Sequence, residues 1–135
     1  CSYDPKKNLL EFAGAKNPMI YMKNGKMHRV KGNIKPIGGI IHEKSENKKF
    51  MNNVVEIDSP TTVYIFSDGY ADQIGEETGR KLMTKFFRNL LQEIHQKPMQ
   101  EQREILNLFL KKWQGNTEQI DDIIVIGFKL YPNKI

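Results

Sequence analysis

The sequence predicts an α+β domain: antiparallel strands through its first half, two amphipathic helices after them, and a closing strand. Three observations carry this reading. Asn24-Gly25 separates the apolar stretches Met19-Ile20-Tyr21-Met22 and Met27-His28-Arg29-Val30. Such a pair is the strongest short hairpin signal, because both central residues of a type I′ turn need positive φ. Between Gly79 and His95 the apolar residues Leu82, Met83, Phe86, Phe87, Leu90, Leu91 and Ile94 recur at helical spacing. Val63-Tyr64-Ile65-Phe66 and Ile123-Ile124-Val125-Ile126 are short runs rich in strand formers.

In chain order, Cys1-Ser2-Tyr3 reads as the end of a strand. Asp4-Pro5-Lys6-Lys7-Asn8 is dense in turn formers, and Leu9 to Ala13 returns as the next strand. The hairpin follows. Pro36 with Gly38-Gly39 marks a tight loop, and His42 to Asn53 is polar enough for an exposed excursion. Val54–Ile57 and Thr61–Phe66 read as strands divided by the Ser59-Pro60 turn. The first helix is expected over Gly79 to His95. Pro98 suits the first turn of a second, since its missing N–H costs nothing there. Ile105, Leu106, Phe109 and Trp113 continue the apolar face of that helix, and Gly115 stops it. The last strand, Ile123 to Leu130, alternates weakly, as a strand buried on both sides does.

A chain of 135 residues is the size of one domain and can bury a core, and 39% apolar with 27% charged residues fits a globular protein. No stretch approaches the roughly 18 consecutive apolar residues of a membrane span, and no signal-peptide pattern opens the chain. The single Cys1 excludes an internal disulfide. One cysteine with three scattered histidines (His28, His42, His95) also argues against structural zinc. The net charge of +5 is concentrated at Lys6-Lys7 and from Lys44 to Lys49. A nucleic-acid surface wants basic residues interleaved with stacking aromatics, and here the aromatics fall at core spacings instead. The basic stretches therefore read as solvated surface.

Chemistry concentrates at two acidic steps. Ser67-Asp68-Gly69 ends one apolar run, and Asp121-Asp122 directly precedes another. Carboxylates held by rigid backbone at a sheet edge suit a hard cation, because Mg²⁺ and Mn²⁺ take oxygen ligands and keep several waters. Gly69 admits a backbone conformation that a side chain would obstruct. By itself Ser-Asp-Gly is equally β-turn chemistry. Asp121-Asp122 likewise fits a charged loop or a helix N-cap, and Asp72 fits a turn. Two adjacent acids before an apolar strand are costly to bury unpaired, and strand geometry sends them to opposite sides. A metal site shared by Asp68 and Asp121 is the functional alternative, with Asp72 as a possible third carboxylate.

Four segments in register then carry a resemblance. Leu10-Glu11-Phe12-Ala13-Gly14-Ala15-Lys16-Asn17-Pro18, Pro36-Ile37-Gly38, Tyr64-Ile65-Phe66-Ser67-Asp68-Gly69-Tyr70-Ala71-Asp72 and Gln119-Ile120-Asp121-Asp122 occur in one order. Together they resemble the C-terminal half of a SpoIIE-type serine phosphatase, of the metal-dependent protein phosphatase 2C superfamily. The resemblance implies part of an α-β-β-α sandwich of antiparallel sheets flanked by helices. Residues 1–135 would be the C-terminal portion of one phosphatase domain, with its N-terminal portion missing from the chain.

It also implies a Mn²⁺ or Mg²⁺ pair in the complete domain and hydrolysis of phosphoserine or phosphothreonine on a regulatory protein. The attacking group would be a metal-activated water, so no catalytic side chain is expected. Asp68 and Asp121 match metal ligands; Gly69, Asp72 and Asp122 match supporting positions. The family's earlier Asp-Gly-His-Gly-type segment has no counterpart in the chain, and Ala15-Lys16 stands where Gly-His is more frequent. Weak or no catalysis is therefore expected of these residues alone. A cytoplasmic location, an upstream sensor or signalling domain in the same polypeptide, and self-association into a homo-oligomer are compatible with the family's architecture. The alternative is a non-catalytic, phosphatase-like interaction module in signalling.

Overall fold

The structure is a computed structural model that describes residues 1–38 and 49–133. The chain forms two compact units, one of Cys1–Ile65 with Lys129–Ile135, the other of Phe66–Phe128.

The first unit is built from strands. β1 (Ser2–Asp4), β2 (Leu9–Phe12) and β5 (Asn53–Glu56) form an antiparallel sheet in the order β1-β2-β5, with Tyr3 opposite Leu10 and Leu10 opposite Val55. The turn between β1 and β2 is held by Asp4, whose Oδ1 accepts the backbone N–H groups of Lys6 (2.9 Å) and Lys7 (3.2 Å). This side chain-to-backbone turn is why Asp is effective there. In a second sheet β3 (Met19–Lys23) lies between β4 (Lys26–Val30) and β6 (Thr61–Phe66). β3 lies antiparallel to both β4 and β6, with Met22 opposite Met27 and Ile20 opposite Tyr64. At the β3–β4 turn Asn24 has φ 51° and Gly25 φ 72°. The expected type I′ hairpin is therefore formed. Leu10, Met19, Ile20, Met22, Ile57, Val63 and Tyr64 supply the buried apolar side chains of this unit.

Helices dominate the second unit: α1 (Gly69–Asp72), α2 (Thr84–Ile94) and α3 (Met99–Gln114). Phe87, Leu90, Leu91 and Ile94 form the buried face of α2. The Phe87 ring stacks on Tyr70 at 4.4 Å, and Phe66 meets it edge-on at 5.1 Å. The Tyr70 hydroxyl donates to the Leu106 carbonyl of α3 at 2.8 Å, so α1, α2 and α3 share one small core.

Four expectations are corrected. The first long helix begins at Thr84, five residues after Gly79. The intervening backbone is already committed to residues 71–75: Arg80 O accepts from Gly75, Leu82 N donates to Gln73 O, and Met83 N donates to Ala71 O. Met83 then sits at φ 76°, ψ 140°, a conformation no helix contains. Pro98 occupies the N-cap of α3, one position before its first turn. The last strand begins at Val125, and Ile124 and Ile126 are 54% and 50% exposed. With these side chains exposed, the strand is not buried on both faces. The loop expected at Gly38-Gly39 starts as expected, with Gly38 at φ 79°. Gly39 and the excursion from His42 to Lys48 lie outside the described residues.

Candidate functional site

The two acidic steps both fall in the second unit, and a small hydrogen-bonded junction holds them together. Ser67 is its centre. Its backbone N–H donates to Ile124 O (3.0 Å), its hydroxyl donates to Asp122 O (2.7 Å), and the same Oγ accepts from Ile124 N (3.0 Å). Gly69 completes the contact. A Cβ at this position would lie 2.8 Å from the carbonyl carbon of Asp122 and closer still to its oxygen. Only a residue without a side chain allows the two backbones to approach this closely. The 53 residues of sequence separation thus end in direct contact between Ser67-Asp68-Gly69 and Asp122.

Asp68 is exposed and occupies the N-cap of α1, yet its carboxylate makes no capping hydrogen bond. The residue most suited to satisfy the helix's first N–H groups points its acceptors elsewhere. Asp121 and Asp122 are exposed as well. The Asp121 carboxylate accepts the Asp122 backbone N–H at 2.7 Å, and Gln119 Nε2 donates to Asp121 O at 2.8 Å, so this loop is ordered by its own side chains. Asp72, at the end of α1, is paired with Lys81 at 2.8 Å. A half-exposed pair of this kind is worth little in stability. It does engage one oxygen of the Asp72 carboxylate.

Sequence reasoning named these five residues, and the structure brings Ser67, Asp68, Gly69 and Asp122 into one junction, with Asp121 beside it. Asp72 is directed to Lys81. The reasoning did not anticipate Ser67 as the joint; a hydroxyl that both donates and accepts across two segments leaves no periodic signal. Gln73 and Trp113 were also missed as a linked pair: the indole Nε1–H donates to Gln73 O at 2.9 Å.

The donor set fits a hard cation in kind. Carboxylate oxygens at a backbone-braced edge suit Mg²⁺ or Mn²⁺, which fill the rest of their shell with water. Among the described residues no three Asp, Glu, His or Cys side chains gather into a metal-holding group. A cavity of about 230 Å³ opens elsewhere in the second unit, walled by Gly75, Glu77, Thr78, Phe109, Lys112 and Trp113; it includes none of the five acidic-site residues. Among the described residues no helix is long and apolar enough to cross a membrane.

Comparison with known proteins bears on the family and the fold. No curated protein matches the chain. Among solved structures, the SiaA-PP2C domain of Pseudomonas aeruginosa is similar, with a TM-score of 0.80 and 28% identity over 93% of the chain. The chain spans about half of that structure, 48% of its length. The mixed α+β arrangement of two sheets and helices is accordingly a PP2C-like fold. The family model for Stage II sporulation protein E (SpoIIE) matches residues 1–131; with two sheets, the Asp68-Gly69 step and the Asp121-Asp122 step all inside that match, the chain belongs to the SpoIIE family.

Proposed function

We propose that this chain forms part of the catalytic domain of a metal-dependent protein serine/threonine phosphatase. Its substrate would be a phosphoserine or phosphothreonine on a regulatory protein. The observation that carries the reading is the Ser67–Gly69–Asp122 junction, which seats Asp68 beside the Asp121-Asp122 step. Asp68 and Asp121 would hold the ion, Mn²⁺ or Mg²⁺. Bound there, such an ion supplies Lewis acidity: it offsets phosphate charge and lowers the pKa of water into the neutral range.

The chain's own residues have separable tasks. Ser67, next to Asp68, ties its segment to the Asp122 carbonyl. Gly69 keeps the approach short. Lys81 offsets the charge of Asp72, which lowers the repulsion among the acids and leaves Asp72 a supporting place near the site. Asp122, whose backbone carbonyl is engaged by Ser67, holds the neighbouring supporting position. An upstream sensor or signalling domain would regulate the site.

A second reading, a non-catalytic phosphatase-like interaction module, is favoured by one observation: the described residues contain no three-ligand metal group. Mn²⁺-dependent phosphate release from a phosphoserine peptide by the intact protein separates the two. For the enzyme, release requires metal, and Asp68→Asn lowers it about a hundredfold or more. A folded, metal-supplied protein that releases no phosphate would establish the module instead.

A further inference from the structure

Gln73 is a polar side chain with no exposed surface. Its bonds run to Gly69 in the acidic junction and to Glu118, upstream of Asp121. Its backbone N–H closes α1 by donating to Gly69 O at 3.0 Å, one residue after Asp68. Its side-chain Nε2 donates to Glu118 O at 3.0 Å, three residues before Asp121, and to Ile74 O at 3.1 Å. The Gln73 carbonyl accepts from Trp113 Nε1 (2.9 Å) and from Leu82 N (3.1 Å), which anchor it to the C-terminal turn of α3 and to the segment before α2.

Two carbonyl acceptors orient the amide, since only the NH₂ end can donate to them. That orientation leaves Oε1 buried without a hydrogen-bond partner among the described residues. An unpartnered buried acceptor is costly, because it has given up its bonds to water. A volume-matched apolar residue would remove that cost, so pure packing does not account for Gln at this place. What Gln supplies, and an apolar residue does not, is the bond to Glu118 O.

We propose that Gln73 is a positioning residue for the metal site: it fixes the distance between Asp68 and Asp121 by bonding to Gly69 O, next to Asp68, and to Glu118 O, three residues before Asp121. Trp113 acts through it by holding the Gln73 carbonyl. The inference rests on the metal-site reading above. Without the Nε2 bond, the 117–120 segment keeps the bond of Thr117, whose Oγ1 donates to Ile74 O at 2.8 Å. The Asp121 step then gains freedom relative to Asp68, and a two-carboxylate site loses its preset spacing.

The test is Mn²⁺ affinity of the intact protein, read by electron paramagnetic resonance of free Mn²⁺, with the melting temperature recorded alongside. Gln73→Met is expected to weaken Mn²⁺ binding about tenfold, in the range typical for residues that orient metal ligands, while melting within a few degrees of wild type. Trp113→Phe keeps the ring and loses the N–H, and is expected to weaken binding in the same direction by about two- to threefold. If Gln73→Met does not fold, Trp113→Phe decides. Wild-type Mn²⁺ affinity in a folded variant overturns the positioning role, provided Asp68→Asn has lost binding. Unchanged binding in Asp68→Asn overturns the metal-site reading itself, and this inference with it.

Discussion

At the scale of single residues, the site depends on one missing side chain and one hydroxyl. Gly69 has an ordinary negative φ, so its conformation alone does not demand glycine; the Asp122 carbonyl against its Cα does. Gly69→Ala is therefore expected to force the two backbones apart and to destabilise the protein by about 1–3 kcal/mol, as overpacking does. Urea denaturation measures this directly, and an unchanged midpoint would mean the contact yields without cost. The sequence shows Asp68-Gly69 plainly. It does not show that Gly69 matters because of a carbonyl 53 positions later. Ser67 is hidden for the same reason: its hydroxyl serves two partners on a segment that only the fold brings near.

At the scale of elements, local chemistry and tertiary demand are in conflict at Met83. Asn24-Gly25 folds as its residue types require, with both φ angles positive. Pro98 and Gly115 bracket α3 by the rules of helix ends, with Gly115 at φ 56°. Met83 obeys no local preference. It adopts φ 76°, ψ 140° with its side chain 62% exposed, so packing of that side chain offers little compensation. The conformation is imposed from outside the helix: Met83 N donates to Ala71 O while Met83 O accepts the first N–H groups of α2, from Phe86 and Phe87. Backbone in this region costs a non-glycine residue about 1–3 kcal/mol. Met83→Gly is expected to stabilise the protein by about 1 kcal/mol, read as a raised thermal midpoint. The helical stripe in the sequence misplaced the start of α2 because Leu82 and Met83 are in phase with it. Leu82 is buried outside the helix, through backbone bonds to the segment that follows α1.

At the scale of the whole molecule, two buried phenols set an upper pH limit. Burial raises the ionisation of Tyr64 in one unit and of Tyr70 in the other well above the usual 10.0. Above pH 10 the unfolded chain releases phenolic protons that the folded chain retains. The unfolded state then binds fewer protons, so stability falls as pH rises. The contribution is complete below pH 10 and is lost progressively above it. Melting temperatures taken from pH 8 to pH 11 are expected to hold steady and then decline. Tyr70→Phe should make that decline shallower, at a constant cost of about 1 kcal/mol for the lost bond to Leu106 O. An equally steep decline in the variant would show that Tyr70 is not one of the groups responsible.

The amino-acid sequence determined whatever depends on neighbours within a few residues: the hairpin at Asn24-Gly25, the strands over Leu9–Phe12 and Thr61–Phe66, the helical face from Phe87 to Ile94, and the order of the four family segments. Turn geometry and helical periodicity are local, so residue type at short spacing suffices to state them. Only the tertiary structure decided that Asp68 and Asp122 share a junction, that Asp72 turns to Lys81, that α2 waits until Thr84, and that buried Gln73 bonds to Gly69 and to Glu118. Each of these is a hydrogen bond or a close approach between segments distant in sequence, and such contacts leave no repeating pattern along the chain.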